Sequence, residues 1–381
     1  NCSYQLMTIL GLPREELNLT AQFSGWVLPA ETIRAVQSTP NFVSGVHFRP
    51  SLRQAFQDHV ETKDLDYRQT LEALYTDQLS IDNLPADIKT DVMDAALLQI
   101  QIEMEAKETT LDELPENTKS LLRARSQIDA PKTISTSPYV VPLPPRGHDL
   151  QRLNVFGGFS YEQPFVGIQF RPTVHSAIDP PKSYPFASQQ EILVDVRYRP
   201  LEQSFYVEQV TLLHLRYFSP PSYNEVLGKG WAVQSQFRRL HFSDAPSTPF
   251  ENGVTFYKTL PFQERALLFA GFGLALPLSP SFQYWINVQP SLQMGAVLYA
   301  NNRIRLVSQT DINGYLIDII QEPKDWTSTL FLRTGLQSSF SISENIGLDL
   351  RTSSQQRVVD LPHFSEDANA VEIWMGAHYF F

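Results

Sequence analysis

The sequence predicts an α+β chain: a mainly helical N-terminal part, then an all-β antiparallel barrel of outer-membrane type with about 10–12 strands. Three observations predict it. The apolar period changes from 3.6 to 2 across a proline-rich stretch, the two-residue period recurs in segment after segment, and the last such segment ends on the aromatic Phe381. The chain divides accordingly into a helical segment at 1–130, a proline-rich linker at 131–150 and a barrel at 151–381.

Composition bounds the alternatives. The 381 residues carry a net charge of -11 and one cysteine, which excludes a disulfide scaffold and argues against a nucleic-acid partner, whose phosphates need a basic field. Hydrophobic residues at 42% and 27 prolines fit neither disorder nor a coiled coil. No apolar run reaches the roughly 18 to 20 residues of a spanning helix. The longest candidate, Ala266 to Leu278, holds Pro277. An integral membrane form must then be a closed barrel, because hydrocarbon leaves no other way to satisfy backbone polar groups. The first residue is Asn1 with no basic-then-apolar leader before it, so the chain reads as a processed or truncated piece.

In the first part, Ile88, Val92, Ala95 and Ala96 recur at helical spacing between Asp87 and Ala106, with Lys89, Asp91, Asp94 and Glu103 elsewhere on the wheel. Ser51 before Leu52, Ala55 and Phe56 marks a helix start. Thr110 with Glu113 has the capping-box form, although Pro115 follows closely. The linker carries Pro131, Pro138, Pro142, Pro144 and Pro145, which favour an extended backbone.

Beyond the linker the strands follow in order. Val166, Ile168 and Phe170 alternate with Gly167, Gln169 and Arg171; Ile192, Val194, Val196 and Tyr198 alternate with Leu193, Asp195, Arg197 and Arg199. Trp231, Val233 and Phe237 stand against Gln234, Gln236 and Arg238, as Leu292, Met294, Ala296 and Leu298 do against Gln293 and Gly295, and Ile346, Leu348 and Leu350 against Gly347, Asp349 and Arg351. Ser279-Pro280-Ser281, Ala300-Asn301-Asn302 and Ser343-Glu344-Asn345 read as turns. A soluble sandwich or barrel would also alternate. Lipid is favoured by the Arg, Asp, Gln and Asn on the polar face, by aromatics at the ends of the oily face, and by Val371, Ile373, Met375, Ala377, Tyr379 and Phe381 at every second place of the last strand.

Chemistry is sparsely signalled. Cys2 precedes the apolar-periodic Leu6, Met7, Ile9 and Leu10, so it opens a helix whose dipole lowers a thiol pKa and suits a nucleophile. Alternatively it is a small buried hydrophobe, the usual state of a lone cysteine. A nucleophile also needs a base. None of the histidines at 47, 59, 148, 175, 214, 241, 363 and 378 has a local signature; His47 and His59 read as structural, His148 as a junction residue, and His214 and His378 as strand-face residues. No metal or cofactor motif occurs, and Gly271-Phe272-Gly273 reads as a strand with room for close packing.

Asn1-Cys2-Ser3-Tyr4-Gln5-Leu6, Phe48-Arg49-Pro50-Ser51, and Pro144-Pro145-Arg146-Gly147-His148 leading to Phe165-Val166-Gly167-Ile168-Gln169-Phe170-Arg171-Pro172 and His175 resemble the Lnb-type periplasmic-domain family of Gram-negative bacteria. The resemblance implies a permuted NlpC, papain-like thiol domain with Cys2 as nucleophile. Its implied activity is lipoprotein N-acyltransfer through a cysteine thioester, with membrane lipids and lipoproteins as partners and no cofactor. In such permuted enzymes the base histidine precedes the cysteine, so this chain alone is expected to be inactive, with its base upstream of Asn1. The expected location is the outer membrane, with the N-terminal part in the periplasm. Two other readings stand beside it: a non-catalytic channel or anchoring barrel, and a cysteine peptidase or amidase acting on peptidoglycan peptides.

Overall fold

The computed structural model describes residues 2–12, 19–21, 23, 27, 29–46, 50–108, 110–131, 134, 149–160, 163–172, 175–180, 186–219, 227–239, 250–262, 266–278, 289–299, 303–316, 328–357 and 370–381. His47, His148, His241 and His363 lie outside these residues, as do most of the linker and the turns at 279–281 and 300–302. Two compact units are formed, one from residues 1–43 with 142–381 and the other from 44–141, so the helical N-terminal part is divided between them.

The unit at 44–141 is helical. Ser51 caps α3 (Leu52–Glu61) by accepting from the Gln54 amide at 3.1 Å, and Asp64 caps α4 (Leu65–Tyr75) through the Tyr67 amide at 2.9 Å. The periodic segment forms α5 (Lys89–Lys107), which buries Val92, Met93, Ala95 and Ala96 against α3, α4 and α6 (Glu116–Ser126). Asp94 departs from the expected polar face. It is buried on α5 and holds Arg125 of α6 with contacts of 2.6 and 3.2 Å. The Thr110 and Glu113 pair does cap, Glu113 accepting from the Thr110 amide at 2.8 Å, but it closes only a single 3-10 turn at Leu111–Glu113 because Pro115 stops propagation.

In the other unit, α1 (Cys2–Gly11) and α2 (Pro29–Ser38) share a small core of Met7, Leu19 and Ala35 with Phe23 and Phe42. The rest is a closed antiparallel barrel of twelve strands in sequence order: β1 (Arg152–Ser160), β2 (Gln163–Arg171), β3 (Ala187–Arg199), β4 (Ser204–Phe218), β5 (Gly228–Arg238), β6 (Phe250–Phe262), β7 (Ala266–Leu278), β8 (Gln289–Tyr299), β9 (Ile304–Leu316), β10 (Ser328–Ser341), β11 (Ile346–Arg357) and β12 (Ala370–Phe380). Closure pairs β1 with β12, Leu153 opposite Tyr379 and Phe159 opposite Ile373, so no edge is left unpaired.

The pleat sorts side chains as the alternation predicts. On β12, Val371, Ile373, Met375 and Tyr379 are exposed outward, Met375 at 66%, while Trp374, His378 and Phe380 are buried inward. Gly271 sits where a Cβ would come within 2.3 Å of the Tyr257 ring, so the Gly271-Phe272-Gly273 stretch is a strand segment over which an inward tyrosine lies. The phase slips once on β3. Ile192 has φ 56° and no partner on β4, where Glu191 pairs with Leu213 and Leu193 with Thr211. This break moves the inward set from Ser188 and Gln190 to Leu193, Asp195 and Arg197, and the register with β4 itself shifts further on, between Asp195 and Val196.

Candidate functional site

Twelve strands enclose more room than side chains alone need to fill; eight strands are already close to that limit. What occupies the lumen therefore defines the site. Three zones follow one another along the barrel.

The first zone lies at the strand ends that carry Arg152 and Phe380. Here residues 175–180, between β2 and β3, fold inward. His175 pairs its backbone with Gln189 at 2.9 and 2.8 Å, and Ile178 enters an apolar cluster of Phe218, Tyr257, Leu267, Phe269, Val297 and Tyr299 on the inner wall. Phe186 packs on Tyr299 with ring centroids 5.3 Å apart. Asp179 pins the turn: it accepts from Arg152 at 2.9 Å, from Arg171, and from the Ser176 amide at 2.7 Å. Arg152 also donates to Asp349, which takes a further bond from Asn154 at 3.2 Å. His378 Nδ1 lies 3.1 Å from both Arg152 and Asp349. These charges are nearly inaccessible to water, and removing one partner of such a set typically costs about 3–5 kcal/mol because the other is left buried and unpaired. Residues 175–180 are thereby fixed against the inner wall.

The middle zone is a polar cavity of about 310 Å³. Its lining includes nine glutamines, six arginines and two carboxylates, Glu251 and Asp311. Part of the lining is bonded into a ladder: Gln209 donates to Gln236 at 2.9 Å, Gln236 to Glu251 at 3.0 Å, and Gln309 to Asp311 at 2.7 Å.

The third zone lies towards the opposite strand ends. Arg197 donates to Glu372 at 2.8 Å and to Asp195 at 3.1 Å, and its guanidinium stacks 4.5 Å from the Phe165 ring centroid. Phe156, Phe165 and Trp374 pack together beneath it.

The sequence-predicted residues fare unevenly. Cys2 is the first residue of α1, as its position before an apolar run predicts; its side chain is outside the described set. His59 belongs to the helical unit, where its Nε2 lies 3.2 Å from Asp91 and from Tyr67. His214 lines the cavity, and His378 belongs to the locked charge cluster. Of the residues that fix the inward segment, the sequence marks Arg171 as a polar strand position and gives no sign of Arg152, Ile178 or Asp179. An arginine at an inward strand position is the one local signal they leave, and it does not name its partner.

Comparison with known proteins adds the following. A family model described as a domain of unknown function, DUF7840, matches residues 142–365. No curated protein matches. Among solved structures, the NanC porin shares 8% identity over 60% of this chain and 100% of its own, with a TM-score of 0.35. The KdgM porin in complex with disordered oligogalacturonate shares 6% over 60% and 99%, with a TM-score of 0.33. In-vitro folded OmpT, an outer membrane protein of Vibrio cholerae, shares 7% over 61% and 97%, with a TM-score of 0.31. These likenesses concern the barrel form alone, and neither they nor the family model brings an Lnb-type or papain-like domain. Since the model spans more than half of the sequence, the chain belongs to the DUF7840 family.

Proposed function

We propose that this chain is an outer-membrane β-barrel in which the inward segment at 175–180 acts as a stopper, that it conducts small polar solutes when this stopper moves, and that the barrel end bearing Arg152 and Phe380 faces the periplasm. The observation that carries this reading is an apolar exterior wrapped around a polar, cavity-holding interior. Phe170, Tyr217, Phe262, Phe340 and Tyr379 face outward at one end of the barrel, and Phe159, Phe205 and Phe237 at the other, which suits the two interfaces of a bilayer. Orientation is supported by the connections. By the strand bounds, three of the five connections at the end with Arg152 are short (263–265, 300–303 and 342–345, against 172–186 and 219–227), while four of the six at the other end are long (239–249, 279–288, 317–327 and 358–369, against 161–162 and 200–203). Short turns belong to the periplasmic side of such barrels.

Fractionation tests the membrane part and planar-bilayer recording the conducting part. The chain should need detergent for extraction and show a small conductance that rises when the stopper is unpinned. Recovery of folded chain without detergent would reject the reading.

A second reading, acyl transfer through Cys2, draws on one observation: Cys2 opens the ten-residue helix α1, whose N-terminal dipole favours thiolate. Thiolate attack on an acyl ester would form a thioester and release the alcohol, and an amine would then take the acyl group and return the thiol. Intact mass measurement of chain purified from cells would show a hydroxylamine-labile acyl group lost in Cys2→Ser; an unmodified Cys2 removes this reading.

A further inference from the structure

We propose that the cavity in the middle of the lumen is a binding site for an acidic sugar, a solute carrying both a carboxylate and several hydroxyls. The inference rests on the membrane-barrel reading above and deepens it by naming the solute class.

The carboxylate preference comes from how the six arginines are committed. Arg152 and Arg171 are held by Asp179 and Asp349. Arg333 stands directly opposite Asp311 across β9 and β10, and Arg351 shares the field of Glu372 with Arg197. Arg216 and Arg238 make no ion pair with a carboxylate among the described residues, yet both line the cavity. Arg216 lies 5.8 to 6.0 Å from the ring centroids of Phe218, Tyr257 and Phe269, and its buried Nε has no acceptor. A guanidinium held beside aromatic rings, with a further tie to the Tyr257 hydroxyl, is fixed in place while the edge bearing Nε stays open to take a carboxylate. The cavity's two acids are both engaged by glutamines and offer a cation little in return.

The hydroxyl preference comes from the amides. Gln169, Gln234, Gln289 and Gln337 line the cavity, and their side chains form no hydrogen bond with another described residue. Each presents two donors and an acceptor, which matches the paired donor and acceptor character of sugar hydroxyls. A neutral apolar solute would have to desolvate these amides without replacing their bonds with water. At about 310 Å³ the space lies near the lower limit of roughly 300–1,000 Å³ seen for small-molecule sites, enough for a short saccharide and too small for a folded chain.

The test uses the whole chain in detergent, with heat-modifiable migration on gels as the control for a folded barrel. A trimer of D-glucuronate, the neutral maltotriose, the cationic glucosamine trimer and inorganic phosphate are titrated by calorimetry. The acidic trimer is expected to bind at least tenfold more tightly than the other three, and to weaken as salt is raised. Arg216→Gln combined with Arg238→Gln should weaken it at least tenfold, and the paired lysine substitutions, which keep the charge but lose the planar fork, should recover only part of the binding. Equal affinity for maltotriose or phosphate, no binding of the acidic trimer to a folded barrel, or an unchanged affinity in the glutamine variant would overturn the proposal. A chain that remains folded without detergent fails the membrane reading instead, and the two failures are distinguishable.

Discussion

Arg152 Nη1 donates to Asp179 Oδ1 at 2.9 Å across 27 residues of chain, joining the first strand of the barrel to the segment that folds inward against its wall. The twelve-strand ladder does not depend on this pair, so breaking it should release the stopper before it unfolds the wall. Asp179→Ala leaves Arg171 without its partner carboxylate and forfeits about 3–5 kcal/mol of local stabilisation. Single-channel recording should show a conductance several times that of the wild type. An unaltered conductance in a folded barrel would mean that the segment does not block the path.

The outward and inward faces should answer oppositely to the same charge. Phe272 points out from the middle of β7 at 56% exposure, and arginine there meets hydrocarbon at a cost of about 2–4 kcal/mol. Gln293 points into the cavity from neighbouring β8, where arginine remains solvated. Urea titration of barrels folded into vesicles should show Phe272→Arg destabilised more than Gln293→Arg, which forfeits only the acceptor of the Tyr257 hydroxyl.

Gly271 is required by close approach. A Cβ there would fall 2.3 Å from Tyr257 Cδ1 and 2.5 Å from the Phe256 carbonyl oxygen. The backbone oxygen cannot yield without breaking the ladder between β6 and β7. Gly271→Val should therefore reduce the yield of folded barrel severely, whereas Gly335→Ala, whose Cβ would meet nothing closer than 3.8 Å, should fold normally; gel-shift folding assays read both.

Burial holds the His59 imidazole below its ordinary pKa, and Lys63, 2.7 Å from the same Asp91 carboxylate, adds to this while Asp91 opposes it. A depressed histidine pKa means that the unfolded state binds the proton first. Stability is then complete above about pH 6.5 and declines as pH falls from there through the lower folded value. Amide hydrogen exchange in the full chain, corrected for intrinsic rates, should show α3 and α5 losing protection between pH 7.5 and pH 5. His59→Gln should flatten that dependence; a profile that stays equally steep would exclude His59 as its source.

Much of the fold was legible because burial on a strand is a local, two-residue rhythm. Val371 to Phe381 declared its outward face residue by residue, and Trp231 and Leu292 did the same on β5 and β8. The helix over 87–106 emerged as Lys89–Lys107 for the equivalent reason at period 3.6. Legibility failed where a distant partner reversed a local preference. Asp94 reads as solvated until Arg125 arrives from α6, and the β3 phase is uniform in sequence until Ile192 is left unpaired. The candidate site was less legible still. Gln209, Gln236 and Glu251 are separated by 27 and 15 residues, and only the register of β4, β5 and β6 turns them into one ladder.

The sequence by itself determined that this protein has helices followed by a barrel with an oily outside and a polar inside, because those properties are written in the spacing of neighbouring residues. The tertiary structure alone decided that residues 175–180 fold against the inner wall and which of the lumen's charges are paired. Arg152 meets Asp349 across 197 residues, and closure of β1 on β12 is what brings them within reach. A buried charge is tolerable only beside its partner, and no local pattern says which partner closure will deliver.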